Sequence, residues 1–180
     1  MQALPLIVAG IVAAALYFFA SRAGASSSSD FASSANVPPA SSGGNWQPPD
    51  AAQPYLVAID QAEKQYGLPH NLEARQLYQE SRFRPEVIDG TVRGAAGEIG
   101  IAQLMPGTAA ELGVDPTDPY ASIDAAARYM RQLYDRFGSW AAALAAYNWG
   151  QGNVANKGLD AAPASTVAYY SGILGDIGAA

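Results

Sequence analysis

The chain has 180 residues, with 10 Lys and Arg against 16 Asp and Glu, a net charge of −6 and a pI of about 4.6. That length suffices for one domain with a real core plus an appendage, and the acidic balance argues against nucleic acid as the main partner, because phosphate binding needs a basic surface. With no cysteine and His70 as the only histidine, thiol chemistry, His-dependent triads and most zinc sites are excluded.

Residues 3–20 carry no charge. The run is long enough for a short membrane-spanning helix, which needs about 17–25 residues. Tyr17, Phe18 and Phe19 suit an interfacial aromatic belt. The rival reading is a cleavable signal peptide, with Ala23-Gly24-Ala25 as its small-residue site. The positively charged n-region is missing, which favours a retained anchor over residues 1–21. Residues 22–53 read as a flexible linker of Ser, Ala, Gly and Pro, in which Trp46 is the odd residue. A coil of about 30 residues has an r.m.s. span of about 30 Å. It suits a tethered domain, here residues 54–180.

From Asp50 onward the pattern is helical. Asp50 is placed to cap a helix with Pro54 in its first turn, and Gly67 ends it. A second helix is expected from about Pro69 to Glu80. Pro85 cannot continue it and biases Arg84 away from helical backbone. Residues 84–105 read as a long Gly-rich loop with room for a small β ribbon within 86–101. Met105-Pro106 opens a short helix that stops at Gly113. Ser122 is expected to cap the next helix, which ends at Gly138. Ser139 caps an Ala-rich helix from Trp140 to Asn148, and Gly150 ends it. A loop with Asn153, Asn156 and Gly158 leads to a last helix near Ser165–Leu174. The fold class expected is mainly α.

Glu80 therefore sits near a helix C-terminus, where the helix dipole disfavours a negative charge. That makes it a candidate for a carboxyl kept protonated near neutral pH. Asp115 and Asp118 lack the spacing of a calcium loop, so no metal and no cofactor are expected.

Three segments together resemble the lytic transglycosylase family, lysozyme-like enzymes that cleave peptidoglycan glycan strands. They are Glu80-Ser81-Arg82-Phe83-Arg84-Pro85, the run from Gly97 through Gly100-Ile101-Ala102-Gln103-Leu104-Met105-Pro106 to Thr108, and Ala146-Tyr147-Asn148-Trp149-Gly150. Thr166 with Tyr169 is a fainter fourth match. The resemblance spans about residues 54–172 and implies a lysozyme-like helical domain. It implies Glu80 as the sole catalytic acid and base, acting on the MurNAc–GlcNAc bond to leave a 1,6-anhydro end. It places Tyr147 and Asn148 along the cleft, Gln103 and Met105 in the groove floor, and Tyr169 near the carboxyl from the last helix. Ser81 would support the helix end.

Several positions depart from the family pattern. Ala102 stands where Met is usual, which would widen the groove. Arg75 and Gln76 occupy positions that are commonly apolar, and Gln76 is placed to hydrogen-bond Glu80. Asp89 is a candidate second carboxylate, with Glu98 beside it. Either would open a lysozyme-type hydrolytic route. A catalytically silent glycan-binding or structural membrane protein is the other alternative. The expected partners are peptidoglycan strands, membrane lipid through the N-terminal helix, and a larger virion or secretion assembly. The expected setting is a single-pass protein of the bacterial inner membrane or a virion membrane, its catalytic domain facing the cell wall.

Overall fold

The computed structural model describes residues 44–179. The expected membrane span and most of the expected linker lie outside the described residues. Among the described residues, no helix is long and apolar enough to cross a membrane.

A 3-10 turn over Asp50–Tyr55 runs into α1, Leu56–Tyr66. There follow α2 (Leu72–Ser81), α3 (Pro85–Ile88), α4 (Pro106–Leu112), α5 (Pro119–Phe137), α6 (Trp140–Trp149), α7 (Gln151–Lys157) and α8 (Ala164–Ile177). The Ala-rich α6 is the centre. Ala142 through Ala146 are buried, and their small side chains let α5, α7 and α8 pack around the helix. The helix α1 lies on α5, and α2 lies between α1 and α8. Leu72, Leu77, Ile101, Ile123, Met130, Leu144 and Ile173 fill the space between them.

Both ends of α2 matter for the site. Its first turn is capped from another helix. The buried carboxylate of Glu63, on α1, accepts the backbone N–H of Asn71 and Glu73 at 3.0 Å each and that of Ala74 at 3.4 Å. These are donors that a helix start otherwise leaves unpaired. At the far end, Arg82 and Phe83 both adopt left-handed backbone, with φ of 54° and 53°. The Ser81 hydroxyl secures this turn by donating to the Leu77 carbonyl at 3.0 Å and accepting the Phe83 N–H at 3.2 Å. Phe83 is thereby turned into the core against Tyr55 and Tyr78.

Several local expectations need correction. Asp50 opens the 3-10 turn and makes no side-chain cap. Asp118 caps α5, accepting the Tyr120 and Ala121 N–H groups. Ser122 is instead buried inside the first turn, its hydroxyl near the Asp115 and Pro116 carbonyls. Pro85 does not merely end α2, because its fixed φ starts α3. The Asn-rich stretch read as a loop is α7, held by Val154 in the core and by Asn153 Nδ2 donating to the Trp149 carbonyl at 2.7 Å. No β ribbon forms within 86–101. Among the described residues the β structure is one bridge, Ile99 to Leu104. Residues 44–53, assigned to the linker, pack on the domain. Ala52 is fully buried, Trp46 lies 6.0 Å from Tyr78 between ring centroids, and the Trp46 N–H donates to the Asp176 carbonyl at 3.2 Å.

Arg75 has a clear structural reason to stand in an otherwise apolar position. Its Nε donates to Asp176 on α8 at 2.7 Å, and its guanidinium lies over the rings of Trp46 and Tyr78. This largely buried pair joins α2 to α8.

Candidate active site

The site is assembled by α2, α6, α8 and the loop before α4. Glu80 is the penultimate residue of α2, half-buried. Because α8 packs on both α2 and α6, it delivers two side chains. The Tyr169 hydroxyl donates to Glu80 Oε1 at 2.5 Å, and the Thr166 hydroxyl donates to Asn148 Oδ1 at 2.9 Å. The second bond fixes the amide, leaving the Asn148 NH2 group free to donate.

The loop supplies the opposite wall. Gly100 lies so close to the Pro116 carbonyl that an added Cβ would come within 1.8 Å of its oxygen. Only glycine fits, and its φ of 83° begins a tight turn. Gln103 closes that turn with φ 46°, its backbone N–H and its side-chain Nε2 both donating to the Gly100 carbonyl, the latter at 2.9 Å. Ala102 lies behind the loop surface. It is fully buried, and its carbonyl accepts the Tyr147 hydroxyl at 2.8 Å. This bond ties loop to α6. Gln103, Met105, Thr108, Tyr129 and Tyr147 line one concave surface, with the Tyr129 and Tyr147 ring centroids 5.7 Å apart.

The electrostatics centre on Glu80. Burial pushes its carboxyl up to about 7, the Tyr169 hydrogen bond pulls it down, and the charge of Glu98 pushes it up. Burial similarly raises the Tyr147 and Tyr169 hydroxyls well above their ordinary value, so both stay protonated. Glu98 is half-exposed and accepts the Ala96 N–H at 3.0 Å. Asp89 is exposed. It accepts the Thr91 N–H at 2.8 Å, which holds its carboxyl below the usual range.

Gln76 does not bond Glu80. It is fully buried and lies near Tyr169, yet neither amide atom reaches a hydrogen-bond partner among the described residues. Trp149 is 6 % exposed and packs in the core, with Lys157 Nζ 5.3 Å from its ring. The His70 side chain is exposed, 3.7 Å from Glu63. Among the described residues no group of three or more His, Cys, Asp or Glu could hold a metal.

Two residues beside the site were not anticipated from the sequence, Glu73, which is buried, and Tyr129, which is half-buried. Glu73 is fully buried with no partner for either carboxyl oxygen among the described residues, and burial, with Glu63 and Glu80 nearby, raises it well above the ordinary carboxyl value. Its signal was available, since residues 73 and 80 stand two turns apart on one face of α2. Tyr129 was missed because it lies off the apolar stripe of α5.

Comparisons with known proteins give this arrangement a family. The transglycosylase SLT domain model matches residues 57–167. The chain is 39 % identical over 101 residues to a transglycosylase of Enterobacteria phage PRD1, covering 56 % of this chain and 36 % of the relative. It is 38 % identical over 109 residues to membrane-bound lytic murein transglycosylase F of Alcanivorax borkumensis, covering 56 % and 22 %. The chain thus spans about a third or less of these relatives. The 70 kDa soluble lytic transglycosylase of Escherichia coli shares the fold with a TM-score of 0.57 and 22 % identity, over 68 % of this chain and 23 % of that one. With a matching segment that carries Glu80, the Gly100–Thr108 turn and Tyr147-Asn148 together, this chain belongs to the transglycosylase SLT domain family.

Proposed function

We propose that the protein is a peptidoglycan lytic transglycosylase that cleaves the MurNAc–GlcNAc bond with Glu80 as acid and then base. The observation that carries this reading is the half-buried Glu80 carboxyl, poised at about 7 and held by the Tyr169 hydroxyl at 2.5 Å. A glycosidic acid must be neutral before reaction, and a group of this pKa both gives and takes a proton near neutral pH. Names of relatives in the family, such as the membrane-bound lytic murein transglycosylases, support the substrate class.

In the first step neutral Glu80 protonates the leaving glycosidic oxygen as its bond to C1 breaks. The substrate's own N-acetyl oxygen stabilises the positive C1. In the second step the Glu80 carboxylate takes the proton of the C6 hydroxyl, and O6 closes on C1. No water is consumed, and Glu80 ends protonated. The Tyr169 hydroxyl favours the carboxylate between the two steps and fixes its orientation. The Asn148 NH2 group and Gln103 would hold the sugar, while Tyr147 and Met105 would shape the groove.

The domain division proposed is an anchor over 1–21, a linker from 22 and the catalytic domain from 54, with 44–53 strapped onto that domain. Two settings suit it, local wall opening by a virion protein or by a membrane-anchored secretion machine. The phage relative supports the first and the membrane-bound relatives the second. Digestion of purified peptidoglycan followed by mass spectrometry tests the reaction. Anhydro ends are expected. Reducing ends would mean hydrolysis with Glu98 or Asp89 as second carboxylate, and intact strands would mean a silent glycan binder. Glu80→Gln is expected to abolish cleavage.

A further inference from the structure

We infer that Glu73 and Gln76 form a buried hydrogen-bond relay behind the acid, in which both act as positioning residues for Glu80 through the Tyr169 hydroxyl. Glu73, Gln76 and Glu80 stand at i, i+3 and i+7, so one face of α2 carries them. Glu73 and Gln76 are both fully buried. Neither carboxyl oxygen of Glu73 and neither amide atom of Gln76 has a partner among the described residues. A buried polar group costs more unpaired than a hydrogen bond is worth. Two such groups on one helix face therefore meet each other, directly or through one water. Neighbours at i and i+3 are close enough for this, with about 5–6 Å between their Cβ atoms.

The relay has a direction. Burial and the charge of Glu80 raise the Tyr169 hydroxyl, and the Gln76 amide beside it acts the other way, as a donor to its oxygen does. The Gln76 NH2 group thus faces Tyr169, and its Oε1 is left for Glu73. A neutral Glu73 carboxyl has one O–H, which Gln76 Oε1 accepts. Every group then donates toward the acid: Glu73 to Gln76, Gln76 to Tyr169, and Tyr169 to Glu80 Oε1 at 2.5 Å. An ionised Glu73 has no proton to give. It would accept from the Gln76 NH2, turn the amide oxygen to Tyr169 and draw the Tyr169 O–H away from Glu80.

The surroundings keep Glu73 neutral. Burial acts first, then the charges of Glu63 on α1 and of Glu80. Tyr147 on α6 is near enough to feel the Glu73 charge, and α5, which also touches α2, buries no charged side chain. The helix α8 brings Tyr169 and Asp176, and Asp176 takes up Arg75, the buried cation of α2. From the loop, Glu98 adds its charge on Glu80. Among the described residues no Lys, Arg or His lies within ion-pair distance of Glu73. An apolar side chain of the same shape would fill either position equally well, so packing alone does not account for the two polar groups. The inference rests on the reading of Glu80 as the acid for its effect on rate, but not for its effect on the Glu80 titration.

The test uses the full chain and two readouts. Carboxyl carbon NMR titration reads the Glu80 midpoint without substrate, and the pH profile of peptidoglycan cleavage reads kcat and KM. Gln76→Met and Glu73→Met each put an apolar side chain of like shape in place of the polar one, so melting temperatures should not fall. Each variant is expected to move the Glu80 midpoint above the parent's, because the Tyr169 bond to the carboxylate weakens. Each should lower kcat at pH 7 by roughly three- to tenfold with KM unchanged, since neither residue touches the glycan. Glu73→Gln keeps a neutral donor and should bring both readouts back toward the parent. In a Tyr169→Phe background Gln76→Met should add nothing, because the relay acts through that hydroxyl. An unmoved midpoint in whichever Met variant folds, or an effect of full size without the Tyr169 hydroxyl, overturns the relay. A moved midpoint in a chain that leaves peptidoglycan intact keeps the relay and overturns the transglycosylase reading instead.

Discussion

The two ends of α2 hold two buried carboxyls in opposite ways. At the N-terminal end Glu63 accepts three backbone N–H groups and faces the positive pole of the helix. Burial raises it, and those three bonds and His70 offset only part of that rise, so it stays above the ordinary carboxyl value. At the C-terminal end Glu80 faces the negative pole and accepts one hydroxyl. It rises to about 7. Burial is common to both, so the number of donors and the helix pole separate a structural carboxylate from a working acid. Glu73, between them with no donor, marks the extreme of the series.

The largest expected effect comes from removing the acid. Glu80→Gln should lower cleavage of peptidoglycan by about a thousandfold or more, since general acid catalysis alone contributes roughly 10²–10⁴. The fold should survive, as thermal melts would show. Glu63→Ala should do the converse. It strands three backbone donors at the start of α2 and should cost about 3 kcal/mol in denaturant unfolding. If Glu63→Ala left stability intact, the contrast between the two ends would collapse.

Tyr169→Phe takes away the one donor that Glu80 has among the described residues. That bond favours the carboxylate, so its loss should move the Glu80 titration above about 7. The activity profile should shift to higher pH, with kcat down by roughly ten- to a hundredfold. An unshifted profile would mean that Tyr169 only packs.

The smallest effect concerns Glu73. A carboxyl whose folded value exceeds its unfolded value binds more protons when folded. Its contribution to stability is full below the unfolded value of about 4.5 and is lost as pH rises through the folded value. Glu73→Gln keeps the shape without the titration. It should be more stable than the parent at pH 8, and the difference should vanish by pH 4. The same melting temperature gap at both pH values would contradict a buried, protonated Glu73.

Much of this was legible from local chemistry. Gly67, Gly113 and Gly138 end their helices with left-handed backbone, and the Ser139 side chain caps α6. Glu80, Gln103, Met105, Tyr147, Asn148 and Tyr169 could be named because short motifs with fixed spacing carry them. What was not legible depends on packing between distant segments. The helix α7 contains Gly152, Asn153 and Asn156, weak helix formers, and forms because Val154 docks in the core. Arg75 looks misplaced until Asp176, 101 positions away, meets it. Glu63 reads as one more surface acid on an amphipathic helix until α2 is laid across it. Asp118 outcompetes Ser122 as the cap because Pro119 can start the helix four residues earlier.

The C-terminal end of α2 holds the Glu80 carboxyl at about 7, so that it is half neutral near neutral pH. Carboxyl carbon NMR titration of the full chain, with the Glu80 signal identified by its loss in Glu80→Gln, measures this directly. A midpoint of about 7 is expected. A midpoint at the ordinary value of about 4.5 would contradict it.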